Sequence, residues 1–149
     1  MSNGVKIYIG TDHAGFKLKE ELKIFLLDLG YDVEDMGAYR FDENDDYPDF
    51  IIPVAKVIAQ CRENSRGIVI GGSGQGEAMA ANRINGVRAA LVYDKYSAKM
   101  SREHNNANVI SLGARALSIR KAKKLVKLWL ETPFSDGEKH IRRIKKIDQ

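Results

Sequence analysis

Residues 67–83 read GIVIGGSGQGEAMAANR. An apolar, β-rich run leads into a turn with glycines at 71, 72, 74 and 76, and a helix-forming run follows. Strand, glycine turn and helix in that order are the building unit of a parallel α/β sheet. The turn leaves backbone N–H groups at a helix N-terminus, where they can meet an anion. The first charged residue after the turn is Glu77.

The same alternation extends in both directions. Residues 5–10 read as a strand, and 16–29 place apolar residues at helical spacing up to Gly30. A strand is expected over 31–37 and an acidic loop, DENDDYPD, over 42–49. A helix follows over 49–63, with Pro53 able to shift its start. Beyond the glycine turn, the pattern predicts a helix over 77–84, a strand over 87–93, a helix over 95–105 and a strand over 108–113. Helices over 118–131 and about 135–147 close the chain. Alternating strands and helices imply parallel strands joined by right-handed crossovers. The expected fold is one α/β domain over 1–149: a three-layer, Rossmann-like, doubly wound sheet of about five parallel strands with helices on both faces. In such folds ligands sit beyond the carboxyl ends of the strands.

Two nucleotide motifs fail at the glycine turn. The dinucleotide fingerprint needs glycines at i, i+2 and i+5. From Gly72 the third position is Glu77, and from Gly74 it is Met79. Gly71 and Gly76 have the separation of a P-loop, but Glu77 and Ala78 stand where lysine and Ser/Thr belong. A carboxylate there repels polyphosphate. What remains is a cup of main-chain donors, Gly72, Ser73, Gly74, Gln75 and Gly76, beside a carboxylate. Such donors stabilise an oxyanion formed during reaction, and the carboxylate can remove the proton whose loss creates it. This describes proton abstraction next to a carbonyl. A first-turn acid favoured by the helix dipole is the plainer reading of Glu77.

Other polar residues also fall at element ends. Asp12 and His13 follow the first strand, where they can move protons or bind hydroxyls, or cap the next helix. His104 and Asn105 end a helix, as a general acid or as a simple cap. Arg115 follows the fifth strand. Lys139, His140, Arg142 and Arg143 lie on the last helix, as phosphate ligands or as solvated charge.

Composition narrows the classes. The 149 residues are 44% apolar and 30% charged, which is globular usage. No apolar stretch reaches the ~18 residues that span a bilayer. The N-terminus lacks a signal-peptide pattern, so a cytoplasmic protein is expected. Cys61 is the single cysteine, and three histidines show no ligand spacing, so no metal or cofactor is expected. Residues 115–146 carry eleven Lys or Arg against three acids, but no aromatic stacking motif interleaves with them as in nucleic-acid binders.

The segments GTDHAGFKLKEEL, DYPDF, RGIVIGGSGQGEAMAANRINGVRAAL, YSAKMSREHNNANVISLGAR and HIRRI resemble the class B ribose-5-phosphate isomerases and the related galactose-6-phosphate isomerases. The resemblance covers nearly the whole chain. It implies aldose–ketose isomerisation of a sugar phosphate through a cis-enediolate, without metal or nucleotide. It also implies a homodimer or tetramer with sites between subunits, to which the basic last helix contributes. Many members carry a cysteine base where this chain has Gly71. The resemblance is to the subset that uses a glutamate after the last glycine, which makes Glu77 the base. It further implies that Ser73 assists proton handling and that His104 opens the ring beside Asn105. Asp12 and His13 would contact the sugar, Tyr47 would line the pocket, and Arg115 and Arg143 would bind phosphate. A family arginine falls on Lys139, with Arg142 as a possible substitute. Six-carbon substrates such as galactose-6-phosphate or allose-6-phosphate are an alternative. A non-catalytic nucleotide-binding module is a remote one.

Overall fold

The computed structural model describes residues 4–61 and 63–149. Residues 1–3, part of the N-terminal reading, and Arg62, within the helix expected over 49–63, lie outside the described residues.

Five strands form one parallel sheet: β1 (Lys6–Thr11), β2 (Asp32–Asp35), β3 (Ser65–Gly71), β4 (Ala89–Leu91) and β5 (Val109–Gly113). Their order is β2-β1-β3-β5-β4. The register pairs Thr11 with Ile70 and Gly71 with Gly113, so these strands end level with one another. The chain runs from β1 outward to β2, then crosses back to β3 on the other side of β1. The switch point therefore lies between β1 and β3, where doubly wound sheets bind ligands.

Helices cover both faces. α1 (Phe16–Asp28), α4 (Lys95–Glu103) and α5 (Ile119–Glu131) bury Leu18, Leu22, Leu26, Ala98, Val126 and Trp129 against one face. α2 (Pro48–Gln60) and α3 (Gln75–Asn82) bury Ile51, Val54, Ile58 and Ala81 against the other. α6 (Glu138–Ile147) closes the chain with no buried residue of its own. Among the described residues, no helix is long and apolar enough to cross a membrane.

The elements match the expected order, with local differences. A single 3-10 turn at His13–Gly15 precedes α1. Pro48 occupies the first turn of α2, where a missing N–H costs nothing, and Pro53 stays inside the helix rather than moving its start. β4 is three residues long because it forms the sheet edge and pairs on one side only. α3 starts at Gln75 rather than 77. Gly74 takes φ +80 at its N-cap, a left-handed conformation open to glycine. The last helix starts at Glu138 rather than about 135.

Lys19, in α1, is fully buried. Its ammonium donates to Asp35 Oδ1 and Oδ2 at 2.7 and 2.9 Å, and to the Ala38 carbonyl. Burial works against the Asp35 charge, but the Lys19 and Lys23 ammonium groups and the Gly37 N–H hold its carboxyl below the ordinary value. This cluster fixes the chain after β2. Gly37 and Ala38 in turn exchange backbone hydrogen bonds with Thr11 at 2.8 and 2.7 Å.

Candidate active site

Starting α3 at Gln75 makes Glu77 its third residue. From there a glutamate side chain can reach back over the N-cap. The Glu77 carboxylate does so and lies against the Cα of Gly71. A Cβ on Gly71 would sit 2.1–2.3 Å from the carboxylate atoms. Glu77 is only 4% exposed. Burial pushes its carboxyl above the ordinary value. The N–H groups of Glu77 and Gly74 pull it back, and the nearby charge of Asp12 raises it further. The helix terminus alone would depress this pKa, but desolvation is the larger effect.

The turn is not five equivalent donors. The Gly74 N–H is directed at Glu77, and the Gln75 N–H donates to Ser73 Oγ at 3.2 Å. The Ser111 hydroxyl secures the Gly74 carbonyl at 2.7 Å. Gly72, Ser73 and Gly76 face the cleft.

That cleft has a volume of about 550 Å³ and lies at the switch point. Asp12, His13, Tyr47, Glu77 and Arg115 line it together with the turn. Thr11 Oγ1 donates to the Ile70 carbonyl at 2.9 Å, tying the ends of β1 and β3 together. Asp12 follows directly after β1. Its Oδ1 caps the 3-10 turn by accepting from the Ala14 N–H at 3.0 Å, and its side chain borders the cleft. The Tyr47 ring lies where a Cβ on Gly76 would be, 2.6 Å from its hydroxyl oxygen. The Arg115 guanidinium lies over Gly72.

Asp45, in the acidic loop, was not singled out by the sequence. Its Oδ1 accepts from His13 Nδ1 at 2.7 Å and from the His13 N–H at 3.1 Å. The Asp45 hydrogen bond raises the His13 pKa; burial opposes it, the Asp12 charge adds to it and Arg115 detracts. Donor atoms of Asp12, His13 and Asp45 lie within 4.8 Å of one another, close enough to hold a metal ion. His13 Nδ1 is here engaged by the carboxylate instead.

The remaining predicted residues form a second group. A crossover helix runs antiparallel to the strands, so α4 ends at the opposite edge of the sheet, where β5 begins. His104 caps α4 there and stacks on His140 of α6, with centroids 4.2 Å apart and 13° between planes. Burial and the positive neighbours His104, Lys139 and Arg143 lower the His140 pKa. Asn105 lines a separate cavity of about 390 Å³ with Arg88 and Asp148. Arg88 ties the edge together, donating to Asp148 at 2.8 Å and to the Asn105 carbonyl at 3.0 Å. Arg102 is 4% exposed and donates to the carbonyls of Thr132 and Ala107 at 3.1 and 2.6 Å. Burial lowers its pKa to about 10, which leaves it charged at neutral pH. Lys139, Arg142 and Arg143 belong to α6 and do not line the Glu77 cleft. Cys61 is exposed at the end of α2, away from the turn.

The cleft therefore offers a shielded carboxylate of raised pKa, main-chain donors at a helix start, and two basic side chains, Arg115 and His13. A sequence model described as Ribose/Galactose Isomerase matches residues 7–147. The chain is 42% identical over 143 residues to ribose-5-phosphate isomerase B of Mycobacterium tuberculosis, covering 95% of this chain and 87% of that one. It superposes on ribose-5-phosphate isomerase B from Mycoplasma genitalium with bound ribulose-5-phosphate, with a TM-score of 0.93, 40% identity, and coverage of 97% and 94%. The corresponding Thermotoga maritima structure gives a TM-score of 0.90, 45% identity, and coverage of 97% of each chain. The chain belongs to the ribose/galactose isomerase family.

Proposed function

We propose that the protein interconverts ribose-5-phosphate and ribulose-5-phosphate, with Glu77 as the base. The observation that carries this reading is the Glu77 carboxylate, buried beside the turn with its pKa raised. A carboxyl so placed can take a proton from C2 of an open-chain aldose and return it to C1. The enediolate oxygen then meets the N–H groups of Gly72, Ser73 and Gly76. Ser73 and Asp12 handle the hydroxyl proton, Tyr47 closes one wall, and Arg115 holds the phosphate.

His104, Asn105, Lys139 and Arg143 lie at the opposite sheet edge, so a complete site takes them from a second copy. We infer a homodimer in which each cleft receives the partner subunit's His104 for ring opening and the partner subunit's Arg143 for the phosphate. Two features favour this. α6 has no fully buried residue although Ile141, Ile144 and Ile147 recur along it, and Ile147 is 60% exposed. On α3, next to the cleft, Met79 is 67% exposed.

Glu77→Gln tests the assignment. It should fold normally and lose about 10²–10⁴ in kcat on ribose-5-phosphate, the usual contribution of acid–base catalysis. Near-wild-type turnover would remove Glu77 from the role. Parallel rates on galactose-6-phosphate and allose-6-phosphate fix the substrate length, with the five-carbon sugar expected to be faster.

A further inference from the structure

We propose that Asp45 is the positioning residue of His13, holding the imidazole by Nδ1 so that Nε2 remains as a standing donor to the anionic end of the substrate. The proposal deepens the isomerase reading and rests on it for the identity of the ligand.

One carboxylate oxygen of Asp45 takes both bonds, from the His13 N–H and from Nδ1. A carboxylate only accepts, so Nδ1 carries the proton and Nε2 is the remaining ring donor or acceptor. The Asp45 side chain is 9% exposed, and its Oδ2 is buried without a hydrogen-bond partner. A carboxylate with one oxygen buried and unpaired needs a compensating cation. Among the described residues, His13 is the side chain that pairs with it. The pair therefore favours an imidazolium, and an imidazolium donates from Nε2.

The charged groups around the ring come from three elements. Asp12 at the end of β1 has an oxygen 3.9 Å from Nδ1 and favours the cation, as does Asp45 from the loop before α2. Arg115, after β5, opposes it. Phe41 presents its ring edge-on at 6.2 Å between centroids and contributes no charge. The balance keeps His13 protonated to higher pH than an ordinary histidine. His13 and Arg115 then offer two cationic donors on one wall of the cleft, suited to a phosphate ester.

A plain clip between the acidic loop and the 3-10 turn after β1 would alter stability without touching His13 chemistry. The test separates the two. The chain has three histidines, 13, 104 and 140, so imidazole ¹⁵N resonances can be assigned and titrated in wild type, Asp45→Asn and Asp45→Glu. Wild-type His13 should keep Nδ1–H and titrate above the free-histidine value. Asp45→Asn should lower that midpoint and release the tautomer, and Asp45→Glu should restore part of both. In steady-state assays, Asp45→Asn should raise KM for ribose-5-phosphate several-fold near pH ~7.5 and little near ~5.5, where histidine is protonated regardless, with a smaller change in kcat. A wild-type His13 that titrates at or below the free value would overturn the proposal without any variant. So would an unchanged titration in folded Asp45→Asn, or a KM effect independent of pH. Absence of turnover in wild type would instead overturn the isomerase reading, while the titration would still decide the pairing.

Discussion

The Glu77 carboxylate fills the space that a side chain on Gly71 would need, with Cδ 2.1 Å from where a Cβ would lie. The two positions are mutually exclusive. A chain can place a reactive side chain at 71 or bring the glutamate of position 77 against the strand end, not both.

Gly71→Ala should therefore expel the carboxylate while leaving the fold intact, because the clash is with the movable end of one side chain. We expect kcat to fall by at least ~10², the lower range for a displaced base. Circular dichroism and thermal melting should stay near wild type. Full activity in Gly71→Ala would mean that the observed carboxylate position is not the reactive one.

Glu77 also sets a cost in stability. Its folded pKa lies above the unfolded value because of burial. Its contribution is thus fully present below the unfolded pKa and is lost as pH rises through the folded one. Glu77→Gln should melt higher than wild type at neutral pH. The gap should close as pH falls toward ~4.3, the ordinary glutamate value. Equal melting temperatures at every pH would contradict the shielding of this carboxyl.

Two inactive chains should repair each other. In a mixed dimer of Glu77→Gln and His104→Ala, one site carries both lesions and the other carries neither. Equal mixing after dissociation should recover about a quarter of wild-type activity, as expected for random pairing in a two-fold dimer. No recovery would place His104 outside the partner's cleft.

Lys19 holds the chain beside Thr11 from within the core. Lys19→Met should destabilise the fold by about 1–3 kcal/mol, because Asp35 keeps Lys23 and the Gly37 N–H but loses its buried partner. The Asp35 pKa is depressed, so this cluster supports stability above the unfolded pKa and loses it as pH falls through the folded one. Urea midpoints at neutral and acid pH should differ less in Lys19→Met than in wild type. An unchanged midpoint at neutral pH would show the pair to be dispensable.

The alternation of apolar runs and helical stripes made the sheet legible, since its central strands β1, β3 and β5 are short, largely buried runs, each followed by a helix. The glycine turn was legible because Glu77 broke two nucleotide patterns at once. Asp45 was not, because four acids crowd positions 42–46 and only its pairing with a residue 32 positions away singles it out. Lys19 was hidden for a similar reason. It sits among Lys17, Glu20 and Lys23 on an outwardly charged helix, and only the loop after β2 makes it interior. The division of the turn's donors depends on where α3 begins. That start is set by the left-handed Gly74 and not by hydrophobic spacing.

In the proposed homodimer, the separation of the Glu77 cleft from the His104 edge makes catalysis depend on the concentration of the solution as well as on the fold. Parting one pair of chains would abolish two reaction centres together, with no chain unfolding. Specific activity should then decline on dilution along the association isotherm, and bound sugar phosphate, by bridging both chains, should hold the assembly together.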